Sequence, residues 1–322
     1  MKIFRLLKKL LVAVALLVAV LGLIAGVAWL YFHPKFTWTR GLAYGQRNGE
    51  TLTVDVLQPP TPNGRGVLLM VSGSWKSGTN SLRPWLVAPL LRRGFTVFPV
   101  YHVSQPHATV MEIVADVNRA VRFVRTHARE YGVDPDRLGV TGGSSGGHLS
   151  LMLATRGGPG PAAAPDAVDR ASSAVQAVAI FFPVTDLLNL GDSTENLHDG
   201  GPPKSFTKAF AQEPKNLPVW QVTGREMSPI YFVASNLPPT VLYHGDADTL
   251  VPLDQSQRFR ARAQEVGAKV DLVIHPGFGH GPVPVAGWPK WLAPVTALRG
   301  VGIMMLDLME FADWFDVHLK AN

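Results

Sequence analysis

The longest unbroken apolar stretch lies near the amino terminus, where all 23 residues from Leu10 to Phe32 are apolar or glycine. At about 1.5 Å per residue a helix over this stretch reaches roughly 35 Å, enough to cross a hydrocarbon core of about 30 Å. Trp29, Tyr31 and Phe32 fall where an interfacial aromatic belt belongs. Lys2, Arg5, Lys8 and Lys9 precede the run and favour a cytoplasmic amino terminus. The pattern predicts a single-pass anchor over residues 1–33, touching the bilayer through residues 10–32. Residues 34–322 would then lie outside the cytoplasm, at the cell membrane. A signal sequence cut after Gly26 and Ala28 is the alternative and would leave a secreted protein, but its apolar core usually runs only about 7–15 residues. A buried core helix fits least, because such helices rarely lack a polar residue on every face.

Beyond this segment the patterning changes to short β-rich runs separated by helical ones. TLTVDVLQP (51–59) alternates as a strand does, then meets the turn PPTPNG. GVLLMVSGS (66–74) and FTVFPVYHV (95–103) read as buried strands, with a crossover helix near Trp85 to Arg93 between them. Ile113, Val114, Val117, Val121 and Val124 share one helical face, and that helix should stop near Gly132. Residues 134–155 predict a strand, a glycine-rich corner and a helix, and 175–184, 239–248 and 268–277 predict further strands. The last two of these bracket a helix at about Leu253 to Val266. Strands alternating with helices imply an α/β fold, with a mostly parallel central sheet covered by helices on both faces.

Two stretches break the alternation. Residues 157–166 form a Gly/Pro/Ala loop, and residues 187–227 form a long irregular insertion carrying Phe206, Phe210 and Trp220. Connections of this length inside a compact domain tend to be lids. The expected organisation is therefore an anchor at 1–33 and a domain at 34–322, with a cap or lid insertion at about 187–227.

Composition changes this picture little. Hydrophobic residues make up 47% of the 322-residue chain and charged ones 17%, which excludes a disordered chain. The net charge of +6 suggests nucleic acid until it is located. Without the four basic residues ahead of the anchor, 26 basic residues face 24 acidic ones, with no basic stripe, so no nucleic-acid partner is expected. The absence of cysteine rules out disulfides, thiolate catalysis and zinc–thiolate sites.

The chemistry concentrates at Gly142-Gly143-Ser144-Ser145-Gly146-Gly147. A G-x-S-x-G corner between strand and helix holds a serine in a strained turn that lifts its Oγ above the sheet edge. The pattern fits twice. Ser144 has Gly142 and Gly146 at the required spacing, and Ser145 has Gly143 and Gly147. Ser145 is the preferred nucleophile, with Gly146 giving its N–H.

A serine hydroxyl needs a histidine to take its proton and an acid to orient that histidine. Of ten histidines, His280 in GFGHG follows the last strand in a glycine-bounded loop and is the expected base. His244 and His275 end strands and are expected to pack, while His148 follows the corner and is expected to support it. In HGDADTLVP, Asp246 and Asp248 both follow a strand, and Asp248 is preferred because it precedes the Pro252-initiated helix. The loop Ser72-Gly73-Ser74-Trp75 is placed to offer oxyanion donors, at Gly73 and Ser74 together with Gly146. Trp75, Trp288 and Trp291 are candidate pocket walls. No metal or cofactor is implied.

The stretches AYGQRNGETLTVDVLQP, EYGVDPDRLGVTGGSSGGHLS, FFPVTDL, SPI (228–230), LPPTVLYHGDADTLVP and HPGFGHG resemble the α/β-hydrolase superfamily. The resemblance is to its esterase/lipase branch, which includes feruloyl-esterase-like (BD-FAE) and hormone-sensitive-lipase-like enzymes, and it covers about residues 40–318. It implies an α/β-hydrolase fold and a carboxylic-ester hydrolase of the carboxylesterase/lipase type acting on a small-molecule ester through an acyl-enzyme. It also implies Ser145 as nucleophile, Asp248 as acid and His280 as base. The sequence departs from the family pattern twice. Val71-Ser72-Gly73-Ser74-Trp75 stands where relatives carry His-Gly-Gly-Gly-Trp, and Tyr101-His102 replaces a usual Tyr-Arg. Both departures bear on substrate range and rate more than on reaction class. A prolyl-oligopeptidase-like peptidase and an inactive membrane-tethered binding module remain as alternatives.

Overall fold

The computed structural model describes residues 2–211, 216–281 and 293–320. Helix α1 (Lys2–Phe32) exposes its apolar side chains along most of its length. Eighteen consecutive residues within Phe4–Phe32 have a mean hydropathy of 3.0 with none of them buried, so the helix is long and apolar enough to cross a membrane.

Strands β1 (Thr37–Arg47) and β2 (Glu50–Gln58) pair as an antiparallel hairpin. Its turn is Asn48-Gly49 at φ of 52° and 82°, the left-handed pair that matches strand twist. The alternation of 51–59 had revealed only the second of these strands. After β3 (Gly64–Met70), a 3₁₀ turn at Pro84–Val87 leads into α2 (Ala88–Arg92), the expected crossover. There follow β4 (Thr96–Val100) and α3 (Val110–His127). A capping box starts α3: Thr109 Oγ1 accepts from the Glu112 N–H, and the Glu112 carboxylate accepts from the Thr109 N–H. The helix tightens into a 3₁₀ turn and stops at Gly132, φ 68°.

Strand β5 (Val133–Gly143) runs into the corner, and α4 (Ser145–Arg156) leaves it. The remaining elements are α5 (Ala167–Arg170), β6 (Ala177–Phe181), α6 (Leu217–Glu226), β7 (Thr240–Gly245), α7 (Asp254–Glu265), β8 (Val270–His275) and α8 (Ala293–His318). Sheet order is β1-β2-β4-β3-β5-β6-β7-β8, antiparallel at β1/β2 and β2/β4 and parallel elsewhere.

Alternate residues of the central strands feed two apolar cores. Leu68, Met70, Phe98, Val140, Val178, Ile180 and Leu242 face α3, α4 and α7. Val67, Val97, Ala177, Ala179, Val241 and Tyr243 face α2 and α8. Helix α8 has no counterpart in the sequence reading. Its Phe311 and Phe315, with Leu319 just past its end, are buried on the second face, where a Cβ at Gly139 would overlap the Phe315 ring. Arg93, just past the end of α2, holds α8 through Asp313 and Asp316, and Arg65 reaches Asp316 from β3.

Candidate active site

The corner after β5 is built from close approaches. A Cβ at Gly142 would lie 2.6 Å from the Gly146 backbone, and one at Gly146 would lie 2.6 Å from the Met70 carbonyl oxygen. Only glycine lets strand, helix and the end of β3 come so near. Ser144, between strand and helix, has φ 55° and ψ −121°, while Ser145 is already the first residue of α4. Strain of this kind collects at functional sites. Of seven non-glycine residues with positive φ among the described residues, four surround this corner: Ser74, Trp75, Ser144 and Phe182.

The preference for Ser145 is therefore corrected. The hydroxyl that meets His280 is that of Ser144, with Nε2 2.9 Å from its Oγ. Ser145 is 1% exposed and turns inward, where its Oγ accepts from the Trp75 N–H at 3.0 Å and lies 3.0 Å from Ser72 Oγ. The positive φ at 144 projects one side chain over the strand ends, and the helix start one residue later directs the next toward the β3 loop.

His280 comes from the loop after β8, and Phe182 stacks edge-on against it at 4.6 Å. Its Nδ1 donates to Asp248 Oδ2 at 2.8 Å. Asp248 follows β7 with its side chain fully buried, and its Oδ1 accepts from the N–H groups of Leu250 and Val251. Burial alone would raise the Asp248 pKa. His244, whose Nε2 lies 3.5 Å away, the hydrogen bond from His280 and that from Val251 outweigh it, holding the carboxyl below the ordinary carboxylate range. Asp246, the other candidate acid, instead accepts from the Gly277 N–H at 2.6 Å and fastens the loop that carries His280.

The oxyanion candidates change accordingly. The Gly73 N–H is spent on the Lys76 carbonyl at 2.9 Å and the Trp75 N–H on Ser145 Oγ, so neither is free to donate. Gly146 is displaced by the same one-residue shift: the residue after Ser144 is Ser145, whose N–H, at the first helical position, has no partner within the helix. Ser74 stays in the set, and it lines the cavity in front of Ser144.

That cavity is about 40 Å³ and is walled by Trp75 and by insertion residues Leu187, Leu190, Ser193, Glu195, Pro203 and Phe206. Trp75 is itself buried, edge-on to Phe206 and Phe210, and its Nε1 donates to His148 Nδ1 at 3.2 Å. His148 Nε2 donates to the Met227 carbonyl, and burial lowers its pKa to about 4, so a neutral imidazole buttresses Trp75. Trp288 and Trp291 lie outside the described residues. A larger cavity of about 270 Å³ sits behind Phe182 between the sheet and α8, but neither Ser144 nor His280 lines it. Ser72 and His102, which no motif marked as a pair, are joined here by a 2.9 Å hydrogen bond.

Residues 54–262 match the profile of the BD-FAE family. Among curated proteins, the chain is 31% identical over 236 residues to Esterase LipQ of Mycobacterium tuberculosis, covering 71% of this chain and 53% of that protein. It is 27% identical over 261 residues to isoprenylcysteine alpha-carbonyl methylesterase ICME of Arabidopsis thaliana, covering 79% and 58%. The chain thus spans little more than half the length of these relatives. Among solved structures, a truncated carbohydrate esterase from gut microbiota superposes with a TM-score of 0.69 at 23% identity, over 88% of this chain and 96% of that one. A thermophilic esterase from Thermogutta terrifontis does so with a TM-score of 0.59 at 25% identity, over 84% and 92%. With an eight-stranded, mostly parallel sheet of the α/β-hydrolase kind and a profile match across most of its length, this chain belongs to the BD-FAE family.

Proposed function

We propose that the protein is a serine carboxylic-ester hydrolase working through an acyl-enzyme, with Ser144 as nucleophile, His280 as base and Asp248 as the acid that orients it. The observation that carries the reading is the unbroken path Ser144 Oγ, His280 Nε2, His280 Nδ1, Asp248 Oδ2, at 2.9 and 2.8 Å. The esterase names of the curated relatives and structural neighbours support the same class.

Ser144 Oγ attacks the ester carbonyl carbon while His280 Nε2 takes its proton. Asp248, kept ionised, stabilises the imidazolium that forms. The carbonyl oxygen becomes an oxyanion facing the N–H groups of Ser145 and Ser74. Collapse breaks the bond to the alcohol oxygen, which leaves with the proton from His280. Water then attacks the acyl-enzyme with His280 as base again, releasing the acid and free Ser144.

A cavity of about 40 Å³ holds three or four water-sized groups at about 10–15 Å³ each, which fits an acyl group from acetyl to butyryl. Residues 187–227 serve as its cap. Residues 1–33 tether the domain to the membrane, with the domain on the extracytoplasmic side.

The test is hydrolysis of p-nitrophenyl acetate, butyrate and octanoate by the full chain in detergent, with labelling by a fluorophosphonate probe. Expected are turnover of the short esters, weak turnover of the octanoate, and loss of labelling in Ser144→Ala but not in Ser145→Ala. An unlabelled wild type, or labelling that survives Ser144→Ala, overturns the reading.

A further inference from the structure

Behind the proposed nucleophile runs a second hydrogen-bonded chain that the reaction does not use. Trp75 N–H donates to Ser145 Oγ at 3.0 Å, Ser145 Oγ lies 3.0 Å from Ser72 Oγ, and Ser72 Oγ lies 2.9 Å from His102 Nε2. His102 Nδ1 lies 2.9 Å from the Val103 carbonyl. Ser145 and His102 are almost fully buried, at 1% and 7% exposure, and Ser72 between them is partly buried.

The direction of every bond follows from the ends. A carbonyl only accepts, so Nδ1 of His102 carries the proton that it donates to Val103. Burial lowers the His102 pKa to about 4, which leaves the ring neutral and makes Nε2 an acceptor. Ser72 must then donate its hydroxyl proton to Nε2 and accept from Ser145. Ser145 donates to Ser72 and has a lone pair left for the Trp75 N–H. Each hydroxyl gives once and receives once, and no donor is left over.

The far end of this chain is a strained loop. Ser74 and Trp75 are consecutive non-glycine residues, both at φ 53°, and such conformations persist only where surrounding contacts hold them. The Trp75 N–H is held by Ser145, the residue whose own N–H is a proposed oxyanion donor. Ser74, the other proposed donor, is the neighbour of Trp75. Two of the anchoring residues, Ser72 and His102, occupy the positions at which the sequence departs from the family pattern.

We infer that Ser145, Ser72 and His102 form a positioning relay that clamps the 72–75 loop onto the start of α4 and so sets the spacing of the two oxyanion donors. The inference rests on the ester-hydrolase reading. None of the three residues touches the reacting atoms through its side chain, and their contribution is geometric. The relay predicts a defect in transition-state binding, not in substrate binding.

The experiment compares full-chain Ser145→Ala, Ser72→Ala, the Ser72→Ala/Ser145→Ala pair, His102→Leu and His102→Gln. Active sites are counted by fluorophosphonate titration, so that unfolded protein drops out of every rate. Loss of a whole oxyanion donor lowers kcat about 10²–10³-fold, and a misplaced one should cost about 10-fold or more. Expected, therefore, are a fall in kcat per titrated site of about 10-fold or more in both serine variants and His102→Leu, KM within about 3-fold, and a parallel loss of affinity for a trifluoromethyl ketone, which mimics the oxyanion. The double variant should be no worse than the weaker single variant by more than about 3-fold, as for residues acting as a unit. His102→Gln, whose amide offers an acceptor and a donor, should recover most of the rate. Titrated kcat within about 3-fold of wild type in Ser145→Ala and His102→Leu, or a kcat loss without loss of ketone affinity, overturns the relay. A wild type that neither labels nor hydrolyses esters overturns the underlying reading instead.

Discussion

Ser144 Oγ and His280 Nε2 lie 2.9 Å apart although 136 positions separate them in the chain. The contact depends on two backbone features at once: the left-handed turn at Ser144 and a loop after β8 whose base is pinned by Asp246 to Gly277. Neither serine nor histidine is held by the other. Each is presented by its own strand end, which is why the site is set by the sheet.

The two aspartates of the β7 loop should separate cleanly. Asp248→Asn, which leaves His280 without its carboxylate, should lower kcat by about 10⁴-fold. Asp246→Ala removes the acceptor of the Gly277 N–H and should cost about 1 kcal/mol of stability, with a much smaller loss of rate. Steady-state kinetics and urea unfolding of both variants check this, and equal kinetic defects would contradict it.

Stability should fall on mild acidification. Burial holds His102 and His148 at pKa values of about 4 against an ordinary 6.5, so the folded chain keeps both rings neutral where the unfolded chain binds protons. Their contribution is complete above about pH 6.5, declines as pH drops toward 4, and amounts to roughly 3 kcal/mol per ring across that window. Urea midpoints measured at pH 7 and 4.5 should show a smaller decline in His148→Gln than in wild type. Identical declines would remove His148 as a source.

The packing of α8 on β5 can be probed from both sides. Gly139→Ala puts a methyl into the Phe315 ring and should destabilise by about 1–3 kcal/mol. Phe315→Leu in the same chain should recover part of that loss, although Phe315→Leu alone is destabilising. Additive effects in thermal unfolding would mean that the two sites do not touch.

The proposed tether predicts that the full chain remains with membranes through an alkaline carbonate wash and starts at its own amino terminus. Replacing Leu16 and Leu17 with Arg, each costing about 2.5–3.5 kcal/mol near the centre of a span, should release it. Mature protein beginning just after Ala28 would instead identify a cleaved leader.

Much of this protein is determined by sequence alone. Strong period-two runs, glycine stops and the apolar amino-terminal stretch define most strands, the crossover helices and the order of serine, aspartate and histidine, because these signals are local. Helix α8 escaped for a local reason too: its apolar residues are spread around the helix, with Leu298 and Leu306 exposed and Phe311 and Phe315 buried, so no single face stands out. Tertiary structure decided what local pattern could not. Ser144 and Ser145 satisfy the same glycine spacing, and only the residue at which β5 gives way to α4 determines which hydroxyl rises toward His280 and which turns down to Ser72. The pairing of Ser72 with His102 was equally hidden, since those residues meet only after β3 and β4 align in the sheet.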